Sequence, residues 1–152
     1  MKRYIKDNKV YFPPITIVDG DKKILTNSDE VIKKYGYADY IDPKPSLESL
    51  IEASNMRINQ ETDRKILNDF VWNGKEFYLT MENQFNFKTL YDMRDYKEFP
   101  ITIKTKSGFT QLEDMTALSG FYLAGVEFVE NCLKEGWTKK AEEEEKIRES
   151  YK

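Results

Sequence analysis

The chain has 152 residues, enough for one domain of ordinary size or for a domain with a small additional module. Its net charge is −3 and its basic residues form no dense patch, which disfavours nucleic acid as a partner. With no histidine and one cysteine, Cys132, the sequence excludes Ser-His-Asp and Cys-His catalytic sets, an intrachain disulfide and an ordinary zinc site.

Other common binding signatures are also missing from the sequence. The seven glycines are scattered and form no phosphate-binding loop. No apolar run approaches the roughly 20 residues needed to span a bilayer, and the N-terminus lacks the apolar stretch of a signal peptide. Cys132 lies among apolar residues and is expected to be a buried thiol rather than a nucleophile. We therefore expect no enzymatic activity, cofactor, bound metal or membrane partner, in a protein made in a reducing cytoplasm.

The first 42 residues predict a small β-rich module. Runs of β-branched and aromatic residues indicate short strands, and Asp19-Gly20 is a strong signal for a tight turn between two of them. Asn27 is expected to cap a short helix that Gly36 ends. The predicted strands cover residues 10–12, 15–18 and 23–25.

Residues 43–45 are predicted to form a linker, because the two prolines there favour extended backbone and block a helix. Residues 46–152 predict a second domain in the order helix, hairpin, helix, hairpin, long helix. The hairpin signals are Asn73-Gly74 and Ser107-Gly108, each between apolar runs. The fold class expected for the whole chain is therefore α+β.

The long C-terminal helix, predicted from Leu112 to about Glu149, carries apolar residues on two faces. One stripe steps by three or four residues and is expected to pack on the helix that begins at Ser46. Its members are Met115, Leu118, Tyr122, Val126, Val129, Leu133 and Trp137. A second set, made of Phe121, Phe128 and Cys132, points elsewhere and is predicted to form the interface of a homo-oligomer, a dimer or a trimer. If Gly136 interrupts the helix, the tail bends back and a monomer also fits the pattern.

Aromatic residues are unusually frequent in the first module. They give it more aromatic surface than so short a segment is expected to bury internally, and exposed aromatic patches usually mark partner surfaces. The residues predicted to contact a partner are Tyr4, Tyr11, Phe12, Tyr35, Tyr37 and Tyr40. The module is therefore predicted to be a docking module.

Two stretches of the sequence resemble bacteriophage proteins. The run I-N-Q-E-T-D-R-K-I-L at 58–67, the hairpin F-V-W-N-G at 70–74 and L-T-M-E-N-Q-F-N at 79–86 resemble a small phage domain of unassigned function. That domain is often encoded beside tail or fibre genes. The first 45 residues resemble short proteins of gut phages, including crAss-like ones, although Ser28 stands where those proteins commonly have proline.

The resemblance implies a non-enzymatic structural component of a virion, and we expect a head-fibre, tail-fibre or fibre-attachment protein. Its partners would be other virion proteins and copies of itself, and it would be assembled in the bacterial cytoplasm. A fibre assembly chaperone that is not retained in the particle is the alternative. The resemblance supplies no catalytic residue, and it leaves open whether the protein belongs to the head or the tail.

Overall fold

The computed structural model describes residues 1–152, which form two compact units, Met1–Pro45 and Ser46–Lys152. Helices and small antiparallel sheets occur together, so the α+β class predicted from the sequence is confirmed. None of the helices combines the length and the apolar character needed to cross a bilayer.

The first unit contains five short strands and one helix. They are β1 (Tyr4–Lys6), β2 (Lys9–Tyr11), β3 (Ile15–Asp19), β4 (Lys22–Thr26), α1 (Asp29–Lys34) and β5 (Ala38–Asp39). Strand β1 pairs antiparallel with β2 on one side and with β5 on the other, while β3 and β4 form a separate hairpin. Their buried side chains meet in one core made of Tyr4, Ile15, Ile17 and Ile32.

The turns of the first unit were only partly predictable. Gly20 has a φ of +61°, as the predicted turn after β3 requires. The β1–β2 turn uses Asp7 and Asn8, both left-handed, and was not predicted. The predicted cap Asn27 is wrong by one residue, because the hydroxyl of Ser28 accepts the hydrogen bond from the Val31 amide.

The second unit contains three helices and two hairpins, in the predicted order. They are α2 (Leu47–Asn68), β6 (Phe70–Trp72), β7 (Lys75–Phe77), α3 (Met81–Asp92), β8 (Ile101–Lys104), β9 (Phe109–Leu112) and α4 (Met115–Tyr151). Helix α3 ends at Asp92, and a separate 3₁₀ turn covers Arg94–Tyr96. Helix α4 runs through Gly136 without a break, so the predicted possibility of an interruption there is wrong.

Polar side chains fix the junctions between these elements. Ser46, Thr80 and Asp114 cap the three helices by accepting hydrogen bonds from backbone amides at 3.1, 3.0 and 2.8 Å. The side-chain amide of Gln84 donates to the Leu79 carbonyl at 2.9 Å, and that of Asn83 donates to the Tyr78 carbonyl at 2.7 Å. The conspicuous polar run at the start of α3 therefore holds the β7–α3 connection in place.

The core of the second unit forms around Phe121 of α4. Its ring centroid lies 5.0 Å from that of Phe77, 4.8 Å from that of Phe87 and 5.4 Å from that of Trp72. Both hairpins and α3 are thereby gathered on the first half of α4. Burying a side chain of this size stabilises the fold by about 1.5–3 kcal/mol.

Helix α2 lies antiparallel along the second half of α4. Lys65 pairs with Glu135 at 3.6 Å and Arg57 pairs with Glu143 at 3.8 Å, so the two helices run in opposite directions. The helices lie close together at Gly136, where a β-carbon would lie only 2.7 Å from the Thr62 hydroxyl oxygen.

Candidate interaction surfaces

The predicted docking residues of the first unit do not form an exposed aromatic patch. Tyr4 is only 2% exposed, and its hydroxyl donates to Asp29 at 2.7 Å. The prediction that Tyr4 contacts a partner is therefore wrong, because alternation along β1 turns its ring into the unit's own core.

Four of the other predicted residues are half-buried, and each of them contacts another residue of the same unit. The rings of Tyr11 and Tyr37 meet edge to face at 5.2 Å, and the Lys6 ammonium lies 4.9 Å above the Tyr37 ring. The Tyr35 hydroxyl donates to Asp19 at 2.8 Å, and the Arg3 guanidinium lies 5.1 Å from the Tyr40 ring. These contacts give the rings structural roles, contrary to the expectation that the unit could not bury them.

Phe12 is the one predicted docking residue that is mainly exposed, at 58%. Val18 and Leu25 are also exposed and were not predicted. They project from one face of the β3–β4 hairpin, because the register sets Leu25 opposite Thr16 while Ile15 and Ile17 point into the core. The strict alternation after Ile15 was the signal that could have identified Val18.

A network of charges joins β1, α1 and β5. Asp29 accepts from the Lys2 ammonium at 2.6 Å and from Tyr4, and it pairs with Lys33 at 3.1 Å. Asp39 pairs with the same two lysines. Hydrogen bonds from Lys2, Tyr4 and Lys33 hold the pKa of Asp29 well below its usual range, and the hydrogen bond from Lys33 lowers the pKa of Asp39.

In the second unit the predicted oligomer interface lies inside the chain. Phe121 is 1% exposed and Cys132 is 6% exposed. Phe128 is half-buried, with its ring centroid 5.5 Å from that of Phe70. The prediction that Phe121 and Cys132 face a second subunit is therefore wrong, since the chain's own hairpins and α2 cover them. The expected burial of Cys132 is confirmed, and this burial raises the pKa of its thiol.

The stripe that was predicted to face inward is largely the exposed one. Leu118 is buried, but Val126 and Leu133 are each 36% exposed and Trp137 is 60% exposed. The neighbouring Leu123 is exposed as well. At about 100° per residue, Leu123, Val126, Leu133 and Trp137 fall within roughly 80° of the circumference of α4. They form one apolar stripe on the outside of the helix.

A groove runs between this stripe and the start of α3. It has a volume of about 340 Å³, and the buried side chains of Phe70, Leu79 and Phe121 form its floor. Its sides are formed by Met81, Gln84, Phe85, Phe87 and Lys88 of α3 and by Tyr122, Gly125, Val126, Val129 and Glu130 of α4. We call the groove together with the exposed α4 stripe the α3–α4 face.

Two other cavities differ in chemistry. One of about 490 Å³ lies between α2 and α4 and is lined mainly by charged side chains, among them Arg57, Lys65 and Glu135. Another of about 490 Å³ lies between α3 and the β8–β9 hairpin and includes Thr102 and Lys104. No three His, Cys, Asp or Glu side chains are grouped so that they could hold a metal ion. The α3–α4 face is thus the surface best suited to apolar contact.

No family model, no curated protein and no solved structure matches the chain. Its function is therefore inferred from its own residues and surfaces. These surfaces offer exposed apolar side chains on both units.

Proposed function

We propose that this protein is a non-enzymatic structural component of a bacteriophage virion, most specifically a head-fibre, tail-fibre or fibre-attachment protein. It acts through contacts with other virion proteins and with copies of itself, not through catalysis, nucleic acid or membrane binding. The observation that carries the proposal is the α3–α4 face, where a folded chain leaves large apolar side chains in water. Such surfaces mark protein partners in soluble proteins.

The shape of the second unit supports an assembly role. At about 1.5 Å per residue, the 37 residues of α4 extend about 55 Å. Helix α2 packs along the second half of α4, where ion pairs join the two helices. A rigid projection of this kind places contact surfaces at a fixed distance from one another. That property suits a fibre or connector better than it suits a small-molecule enzyme.

The first unit supports a separate contact. Phe12, Val18 and Leu25 are exposed while the unit's own core is complete without them. A chain with apolar surface on each of two units can join two different neighbours, as a connector in a particle must.

Quantitative mass spectrometry of purified virions tests this function. A structural component is expected at a constant ratio to the major capsid protein through successive density gradients. An assembly chaperone would be abundant in the infected lysate and lost from the particles. Presence in neither fraction above the background of host proteins would contradict both roles.

A further inference from the structure

We infer that the α3–α4 face binds a second copy of this chain across a two-fold axis, with Phe85 of each copy seated in the groove of the other. This inference deepens the oligomeric part of the proposed function by naming its surface. The surface lies on the side of α4 opposite to the one that the sequence pattern predicted. It can be tested on the purified protein without a virion.

The first reason is the exposed area. Six side chains contribute to it: Met81, Phe85, Leu123, Val126, Leu133 and Trp137. With about 150–250 Å² for a large side chain, their exposed fractions leave roughly 600 Å² of apolar surface on each chain. A standard interface buries about 800 Å² per partner, and about 65% of a homodimer interface is apolar, which corresponds to about 500 Å². The face therefore offers the apolar area of a complete homodimer interface.

The second reason is that the face carries both a projection and a recess. Phe85 is 69% exposed on α3, beside the groove of about 340 Å³. A cavity of about 150 Å³ is already large enough for benzene, so the groove accommodates a phenylalanine ring. In a two-fold interface each surface must supply both members of every complementary pair. This face supplies both the projection and the recess, whereas a surface that binds an unrelated partner needs only one member of each pair.

The third reason is the charge on the same face. Lys88 and Glu130 line opposite sides of the groove, on α3 and α4 respectively. Glu130 makes no ion pair within the chain, and Lys88 pairs only with Asp92 one turn further along α3. A two-fold axis between two such faces allows Lys88 of one copy to meet Glu130 of the other, twice per dimer.

Sedimentation equilibrium and light scattering after gel filtration give the first test. The wild-type chain of 18.0 kDa is expected to have twice that mass at tens of micromolar. A monomer at 100 µM overturns the inference, even if its groove binds an apolar dye such as 1-anilinonaphthalene-8-sulfonate, because the face would then serve a different ligand. A trimer also overturns it, because a trimer has no two-fold axis.

Matched substitutions give the second test. Phe85→Glu is expected to raise the dimer dissociation constant at least about 100-fold, because each dimer loses this anchor twice. Phe109→Glu is the control, since Phe109 is 72% exposed, lies on β9 and does not line the groove. Its dissociation constant is expected to stay within about threefold of wild type. Equal effects of the two substitutions would overturn the inference.

Charge reversal tests the pairing directly. Lys88→Glu alone and Glu130→Lys alone are each expected to weaken the dimer, and the double variant K88E/E130K to recover most of the loss. Circular dichroism confirms that each variant keeps its helix content.

If Phe85→Glu does not fold, Trp137→Lys replaces it, and a dimer unaffected by Trp137→Lys counts against the proposed surface. These results are independent of whether the protein is found in virions.

Discussion

The Asp29 carboxylate ties together three separate parts of the first unit. It lies at the start of α1, accepts from Lys2 and Tyr4 of the N-terminal segment, and pairs with Lys33 one turn later. Lys2 and Lys33 also reach Asp39 of β5. Each pair is solvent-accessible and therefore weak by itself, but four charges that share partners form a network.

The pH dependence of the first unit follows from this network. Because the folded state lowers the pKa of Asp29 and Asp39 below their ordinary 3.8, their contribution is present above about pH 4 and is lost as the pH falls further. We expect Asp29→Asn to speed hydrogen–deuterium exchange in peptides from residues 1–45 at pH 7, and the difference from wild type to shrink towards pH 3.

The control for this experiment is Asp21→Asn. Asp21 is exposed in the same unit and makes no ion pair or hydrogen bond. Its replacement is expected to leave exchange unchanged at both pH values. A difference between Asp29→Asn and wild type that stayed constant from pH 7 to pH 3 would show that the charge of Asp29 is not what stabilises the unit.

At the scale of elements, the packing of α2 on α4 depends on one missing side chain. Gly136 lies inside a continuous helix, where glycine normally costs up to about 1 kcal/mol relative to alanine. Glycine nevertheless suits this position, because a β-carbon there would lie 2.7 Å from the Thr62 hydroxyl oxygen. The glycine lets the two helices approach at the point where Lys65 and Glu135 also pair.

Alanine substitutions at two glycines of α4 separate packing from helix propensity. We expect Gly136→Ala to lower the free energy of unfolding by about 1–3 kcal/mol through overpacking. Gly120→Ala should raise it by up to about 1 kcal/mol, because nothing lies within 4 Å of its β-carbon position. Urea denaturation followed by tryptophan fluorescence measures both values.

Repeating the Gly136→Ala substitution in a Thr62→Ala variant completes this test. Thr62→Ala removes the hydroxyl that the new β-carbon would meet, so Gly136→Ala should cost much less in that background. An unchanged cost in the Thr62→Ala background would mean that the backbone, and not the Thr62 side chain, limits the approach of the helices.

The sequence was sufficient to predict the elements of the second unit and their order. Their signals are local: Asn73-Gly74 adopts the left-handed turn expected of it, and Ser46 and Thr80 cap the helices that follow them. The orientation of α4 was not predictable in this way, because apolar residues occur nearly all round its first half. Contacts distant in sequence decide it, chiefly those between Phe121 and the aromatic side chains of the first hairpin and α3.

One signal for the correct face of α4 was present in the sequence. Gly125, Cys132 and Gly136 are small, and at about 100° per residue they lie within roughly 40° of one another. Small residues on one face of a helix permit close approach of a neighbouring element. The aliphatic stripe was the stronger pattern, but it marks the surface that the chain leaves exposed.

At the scale of the whole molecule, the two units each contain a complete core. Both tryptophans, Trp72 and Trp137, belong to the second unit, so tryptophan fluorescence reports on that unit alone. A chain shortened to residues 43–152 is expected to keep the urea midpoint of the full-length protein within experimental error. A midpoint that falls markedly would show that the second unit needs the first for its stability.

The antiparallel pairing of α2 with the end of α4 has a consequence for synthesis of the chain. Helix α2 ends at Asn68, but Arg57 meets its partner only at Glu143. At about 5–20 residues per second, roughly 4–15 s pass on the ribosome before that partner exists. The apolar side chains of α2 that face α4 are uncovered during this interval, so the packing of the second unit is completed late in synthesis. Nascent chains halted between the two helices are therefore expected to be aggregation-prone and to recruit chaperones.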